Sequence, residues 1–376
     1  LGALGATVDS QRTILVTGFP LDAARELTRQ AAQAGDRVIL LVREKFLHEA
    51  ETWVAGLQAA HKASLHTRPE GEAHPHDHSP LARLALEIWH GDILGLDLGL
   101  TGAQVRKLQE EVHEVHHLAA VAYLGVDVPR MRQLNVEGLR EVLELCLGMR
   151  HLQRVCVWST VFVAGSRSGI VREQDLGDGS VHRNAYESTK AEAERLCRAA
   201  MAKLPLTVVR VPLLVGHSQT GEVSRLDGPF LLVQAIVSSP TAVPLPTGGH
   251  HPLHLAPVDY CAAAARYLAR HPAAVGGTFH LVDDSPLTAR QFFDLVADAA
   301  GKPRPNVYLP GRLSHALLSL PGLAGRVRHE RSFIEWFDSD VRFDNSQTRA
   351  LLAGSGIHCP PVPSYVDALV RFVRDR

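Results

Sequence analysis

Tyr186 and Lys190 stand four residues apart in NAYESTKAEAE, a stretch with helical period, so both side chains fall on one face of a helix. A phenol beside an ammonium can act as a general acid. To give up its proton near neutrality, a phenol with pKa ~10 needs ~4 kcal/mol of preferential phenolate stabilisation, which neighbouring cations can supply. The same spacing also occurs in ordinary surface pairs, so context decides. Ser159 and Thr160 end an apolar run, RVCVWST, 26 residues before Tyr186. That is the carboxyl edge of a strand, where open parallel sheets bind their ligands. Hydroxyl, phenol and ammonium then converge on one crevice.

A second candidate lies near the start. The first apolar run enters ILVTGFPLDAAREL, with Gly18 at a strand-to-helix turn. Such a turn lets backbone N–H groups meet a dinucleotide pyrophosphate. Further glycines would normally stand at positions 21 and 24, which are Leu21 and Ala24, and Asp22 adds a negative charge beside the expected phosphates. Ala24 is small enough for close packing, whereas Leu21 and Asp22 argue against the motif; an ordinary tight turn is the alternative. The second run ends LLVREK, placing Arg43 and Lys45 about 25 residues beyond Gly18. Arg at that strand end suits the extra phosphate of NADP, whereas a carboxylate would favour NAD. NADPH is therefore the expected cofactor and NAD the less favoured one, with a solvated basic pair as the alternative.

The elements that must position these groups follow from the pattern. Through about residue 210, short β-branched runs alternate with amphipathic stretches, the signature of repeated βαβ units and a parallel sheet. Strands are predicted at Arg12–Thr17, Arg37–Val42, Leu86–Gly91, Glu114–Ala119, Arg154–Thr160 and Leu206–Val211. Helices are predicted at Leu21–Ala34, stopping at Gly35, and at Val128–Gly148 and Ala185–Lys203. Beyond Gly216 the sequence becomes rich in Pro and Gly, followed by a helix at Val258–Arg270, a strand at Thr278–Val282, a helix from about Thr288 and a tail helix at Ser364–Asp375. The expected fold is α/β, a Rossmann-like doubly wound parallel sheet with a smaller C-terminal substrate-binding portion. The division is a cofactor domain over 12–216 and a substrate portion over 217–376, discontinuous because the strand near 278–282 returns to the main sheet.

Composition narrows the function. The 376 residues carry 39 Lys and Arg against 40 Asp and Glu, a formal net charge of −1, so there is no bulk charge to draw nucleic acid or an anionic membrane. No apolar run approaches the ~20 residues of a membrane span, so no integral membrane segment is expected. The N-terminus lacks the basic flank of a secretory signal, and the missing initiator Met points to processing, trimming or a different start. Five scattered cysteines fit a reducing, cytoplasmic setting. The unusual count is 21 His. His66, His74, His76 and His78 lie in the polar segment Ser64–Pro80, which reads as a flexible insertion with divalent-metal binding as the alternative; no metal site is assigned. Only His117 sits where function is expected.

Taken in order, VTGF (Val16 to Phe19), GDILGLDLGL (from Gly91), HLAA (His117 to Ala120), NVEGLREVLELC (from Asn135), VWSTVFVAG (from Val157), YESTK (Tyr186 to Lys190) and VRVPLLVGHSQTGE (from Val209) resemble one family. It is that of the extended short-chain dehydrogenase/reductases, and within it the male-sterility-type branch of fatty acyl-CoA reductases and thioester reductase domains. APVDY (Ala256 to Tyr260) and HLVDDSPLTARQFFDLV (from His280) extend the resemblance over nearly the whole chain.

The resemblance implies that Thr160, ahead of Ser159, orients the substrate oxygen, that Tyr186 donates the proton, and that Lys190 lowers its pKa and holds the nicotinamide ribose. It places Gly18 and Phe19 by the pyrophosphate, Arg43 by the adenosine phosphate, and Asp92 and Ile93 by adenine. Ala119 and Ala120 would line the cofactor, and Pro212, Leu213 and Val215 would approach the nicotinamide. Asn135 would anchor a water chain or make a helix-start hydrogen bond. His117, Arg183 and the Gly165–Asn184 region would shape the acyl entrance. The implied activity is NADPH-dependent reduction of a carbonyl in an acyl thioester or long-chain aldehyde, on a small-molecule or carrier-bound substrate, with a homodimer allowed for. These residues hold no adenylation or carrier domain, so a thioester would be made elsewhere. The alternatives are a sugar-nucleotide or sterol-like epimerase or dehydrogenase, and a non-catalytic nucleotide-binding scaffold.

Overall fold

A computed structural model of the chain describes residues 11–66, 84–121, 126–177, 179–226, 228–244, 249–307, 337 and 339–376. The His-rich segment lies outside the described residues from position 67 onward. The strands are β1 (Thr13–Thr17), β2 (Arg37–Val42), β3 (Leu86–His90), β4 (Glu114–His117), β5 (Arg154–Thr160), β6 (Gly169–Val171), β7 (Leu206–Val211), β8 (Leu213–Val215), β9 (Leu255–Pro257), β10 (Thr278–His280) and β11 (Val341–Phe343). Seven of them form one parallel sheet in the order β10-β7-β5-β4-β1-β2-β3. The chain winds outward from β1 through β2 and β3, then crosses back to β4 and winds the other way. The fold is therefore α/β, Rossmann-like and doubly wound, and the order reverses between β1 and β4, where such sheets open a crevice.

The helices are α1 (Asp22–Gln33), α2 (Leu47–His66), α3 (Gly102–Glu111), α4 (Val128–Arg132), α5 (Gly138–Leu147), α6 (Ala185–Ala200), α7 (Pro229–Ser238), α8 (Val258–Arg270), α9 (Ala289–Ala300), α10 (Ser346–Leu352) and α11 (Val366–Asp375). Every residue of β1 and β5 is buried, as expected where helices cover both faces of a parallel sheet. On one face Ala24, Leu27 and Ala31 of α1 share a core with Ala262, Ala265 and Ala269 of α8. On the other, Leu108 of α3, Leu139 and Val142 of α5 and Cys197 of α6 pack on Leu15, Val115 and Val155. A third core joins β8 and β9 to α7, α9 and α11 through Phe230, Phe292, Phe293 and Leu369. No helix among the described residues is long and apolar enough to cross a membrane.

The strand after Gly277 does return to the main sheet, pairing β10 with β7 through Phe279 and Val209. One expectation needs correction: β4 ends at His117, short of Ala119. The helix expected over Val128–Gly148 runs in helical conformation from Val128 to Leu147, with a wide π turn inside it at Gln133–Glu137. Asn135 sits within that turn and bonds the main chain of Val121 and the side chain of Thr189, so it is not at a helix start.

Candidate active site

The catalytic candidates meet where β5 ends and α6 begins. Thr160 closes β5 and its hydroxyl accepts from Phe162 N at 3.3 Å. The side chain of Asn184 caps α6 by accepting from Glu187 N at 3.0 Å, which places Tyr186 in the first turn and Lys190 one turn later on the same face. Tyr186 and Thr160 are joined by a side-chain hydrogen bond. Lys190 Nζ donates to the Trp158 carbonyl at 2.7 Å. All three predicted groups are thus brought together. Burial pushes the phenol up to about 12, with the Thr160 bond acting the other way, and pulls the Lys190 ammonium down to about 8, with Glu194 among the opposing groups. The acid strength that catalysis needs must come from charge added to the crevice.

Behind this corner is a charged group that sequence reading missed. Glu194, one turn beyond Lys190, accepts from Ser159 Oγ at 3.0 Å and from Arg210 Nε at 3.1 and 3.0 Å. Both partners of the Glu194–Arg210 ion pair are fully buried. Arg210 also meets His280 Nε2 at 3.0 Å, which ties β7 to the returning strand β10. Ser159 is therefore committed to Glu194, and Thr160 is the hydroxyl that faces Tyr186. The i, i+4 spacing from Lys190 could have pointed to Glu194.

At the switch point, Gly18 adopts φ +108°, and a Cβ there would stand 2.8 Å from Ala119 N. Only glycine lets the turn pass so close to the end of β4. Phe19 turns its ring into the core, 5.8 Å from Trp53 and beneath the Arg25 guanidinium, so only its backbone remains for a ligand. Leu21 precedes α1 without a side-chain cap and is 43% exposed. The Asp22 carboxylate accepts from Ser224 N at 3.0 Å, and burial raises its pKa; the charge expected beside the phosphates is engaged with the segment after β8. Ala24 is fully buried.

Arg43 Nε donates to Asp92 at 3.1 Å, so the ends of β2 and β3 meet with both side chains partly exposed. Ile93 packs on Gly138 within the core. Ala119 and Ala120 are half-buried beyond β4, Pro212 and Val215 are buried, and Leu213 is half-buried. His117 is corrected: it is not at an entrance but 3% exposed inside β4, with Nδ1 at 3.0 Å from Thr17 Oγ1 and a pKa lowered to about 3 by burial. Arg183 does border a narrow cleft with Phe162, Leu213, Leu253 and His254. Its guanidinium reaches Glu187 and Ser339.

These residues fit an NAD(P) group. The Gly18 turn and the start of α1 would face its pyrophosphate, Arg43 and Asp92 its adenosine end, and Tyr186 and Lys190 its nicotinamide ribose.

Comparison with known proteins agrees. The male sterility protein family matches residues 24–265. The chain is 30% identical over 276 residues to the carboxylic acid reductase of Segniliparus rugosus, covering 67% of this chain and 22% of that one. It is 29% identical over 214 residues to glycine betaine reductase ATRR of Emericella nidulans, covering 56% and 16%. It thus spans less than a quarter of the length of these two relatives. The terminal R domain from the myxalamid PKS-NRPS biosynthetic pathway superposes with a TM-score of 0.74 at 26% identity, over 98% of this chain and 90% of that one. The chain belongs to the male sterility protein family, a branch of the NAD(P)-dependent extended short-chain dehydrogenase/reductases.

Proposed function

We propose that this chain is an NADPH-dependent reductase of acyl thioesters, with Tyr186 as the proton donor. The observation that carries the reading is the hydrogen bond of the half-buried Tyr186 with Thr160, one turn from Lys190 and packed on the apolar cluster that holds Phe162 and Leu213. The cofactor supplies a hydride when bound. Thr160 and Tyr186 would hold the carbonyl oxygen, and the Tyr186 hydroxyl would give its proton as charge develops there. Lys190, fixed on the Trp158 carbonyl, keeps a positive charge beside the phenol and has donors left for a ribose. A thioester, NADPH and a proton would yield an aldehyde, a thiol and NADP. Similarity to the terminal R domain and to the carboxylic acid reductase supports a carrier-bound acyl group as substrate. In this reading residues 12–216 hold the cofactor and 217–376 shape the substrate side.

NADPH is preferred over NADH because the guanidinium at the end of β2 can take a second phosphate. Fluorescence titration of both cofactors tests this. We expect Arg43→Ala to weaken NADPH by about tenfold while leaving NADH within about twofold, the difference made by one charged contact. Equal affinities in the parent protein would remove the assignment. Leu21 and Asp22 favour a second reading, a nucleotide-binding scaffold without turnover. A Tyr186-dependent rate with any thioester excludes it.

A further inference from the structure

Arg183, just ahead of α6, meets Glu187 twice. Its backbone N–H donates to Glu187 Oε2 at 2.9 Å and its guanidinium Nη1 to Oε1 at 3.1 Å. The Glu187 N–H is in turn taken by Asn184 Oδ1, so Arg183, Asn184 and Glu187 close the first turn of α6 around Tyr186. The Glu187 carboxylate is fully buried, and the Arg183 side chain is 17% exposed. At its other end the guanidinium donates from Nη2 to Ser339 Oγ at 2.8 Å. Ser339 stands two residues before β11, on the substrate side of the chain. A bond from that portion therefore fixes the cation that meets Glu187.

A carboxylate beside a phenol opposes the loss of the phenol proton, because two like charges would then share a poorly hydrated site. The charge of Glu187 acts on Tyr186 in that sense. The phenol also meets Thr160 from β5, and Lys190, one turn on, is held by the Trp158 carbonyl of the same strand. A guanidinium bonded to the Glu187 carboxylate cancels much of its field, and the planar fork can hold a second partner at the same time. We propose that Arg183 is a positioning residue for Tyr186: it holds and neutralises the Glu187 carboxylate next to the phenol, and Ser339 anchors it from the substrate portion. Contact between the two portions of the chain then sets how readily the phenol gives up its proton. This rests on the reading of Tyr186 as the proton donor.

The test titrates the phenol and follows turnover in the same variants. Tyrosines labelled with 13C at Cζ are followed against pH in the whole protein with NADP present, Tyr186 being assigned by its loss in Tyr186→Phe. Arg183→Met should raise the Tyr186 midpoint by about one pH unit, the weight of one nearby like charge. It should slow reduction of S-octanoyl-N-acetylcysteamine by about three- to tenfold, with the Kd for NADPH within about twofold of the parent. Adding Glu187→Gln should return most of the shift and most of the rate, which a merely disordered helix start would not allow. Ser339→Ala should move the midpoint in the same direction as Arg183→Met and by less. If Arg183→Met does not fold because it strands a buried carboxylate, Glu187→Gln alone takes its place and should lower the midpoint. A midpoint that these substitutions leave unmoved, or one that Arg183→Met raises and Glu187→Gln does not return, overturns the Arg183 assignment; turnover by the parent protein then leaves the reductase reading standing. A midpoint that moves as expected in a protein without turnover keeps Arg183 as the control on the phenol and overturns the reading of Tyr186 as proton donor. An unmoved midpoint without turnover overturns both.

Discussion

At one end of the crevice Thr160, Tyr186 and Lys190 are held by groups from several elements: the Trp158 carbonyl under Lys190, Ser159 and Arg210 around Glu194, and the Asn184 cap before Tyr186. At the other, the turn after β1 keeps Gly18 but presents an exposed Leu21 and an Asp22 bonded to Ser224. Proton transfer needs particular atoms within hydrogen-bond reach. A pyrophosphate is met largely by backbone N–H groups, which survive changes of side chain. The first region therefore tolerates little, whereas the second can drift and weaken binding without ending the chemistry.

The sharpest way to break this contrast is Tyr186→Phe, which should lower the reduction rate by about 10³-fold, within the range of a lost general acid. The Kd for NADPH should stay within about twofold of the parent by fluorescence titration, since no backbone donor is touched. Next comes Arg210→Met, which strands the buried Glu194 carboxylate. It should lower the unfolding free energy by about 3 kcal/mol in urea, with a larger loss of rate than of cofactor affinity.

A smaller effect is expected at the turn. Leu21→Gly with Asp22→Asn should tighten NADPH by about three- to tenfold, by opening the start of α1 and removing a like charge, with kcat nearly unchanged. Smallest is a shift in pH. Lys190 is charged below about 8 and loses its charge as the pH rises through that value, so kcat/KM should fall on the alkaline side with a midpoint near 8. Glu194→Gln removes an opposing charge and should move that midpoint to lower pH. An unmoved midpoint would detach Glu194 from Lys190.

Much of the fold was legible because parallel strands are written locally: RVILLV, RVCVWST and LTVVRV appear as strands with the expected limits. Gly35 ends α1 in the left-handed region, at φ +90°. The return of β10 was legible too, since TFHLV, Thr278–Val282, follows a helix and holds three apolar residues in five, and its first three residues form the strand. What escaped depends on distant partners. The π turn at Asn135 reflects bonds to Val121 and Thr189, and the burial of His117 reflects Thr17 on a neighbouring strand. Asp22 read as a hindrance because Ser224, its partner, lies about 200 residues away. Glu194 and Arg210 had local hints, the helical spacing from Lys190 and the apolar strand LTVVRV, but only the folded sheet shows that they pair with each other.

The most direct test follows the hydride. The protein is given NADPH deuterated at the transferring position of nicotinamide C4, together with S-octanoyl-N-acetylcysteamine, and the octanal formed is examined by mass spectrometry. The reductase account predicts one deuterium at C1 of the aldehyde with the parent protein and about 10³-fold less labelled product with Tyr186→Phe, the loss expected for a missing proton donor. Bound NADPH with no labelled aldehyde from the parent protein would contradict it.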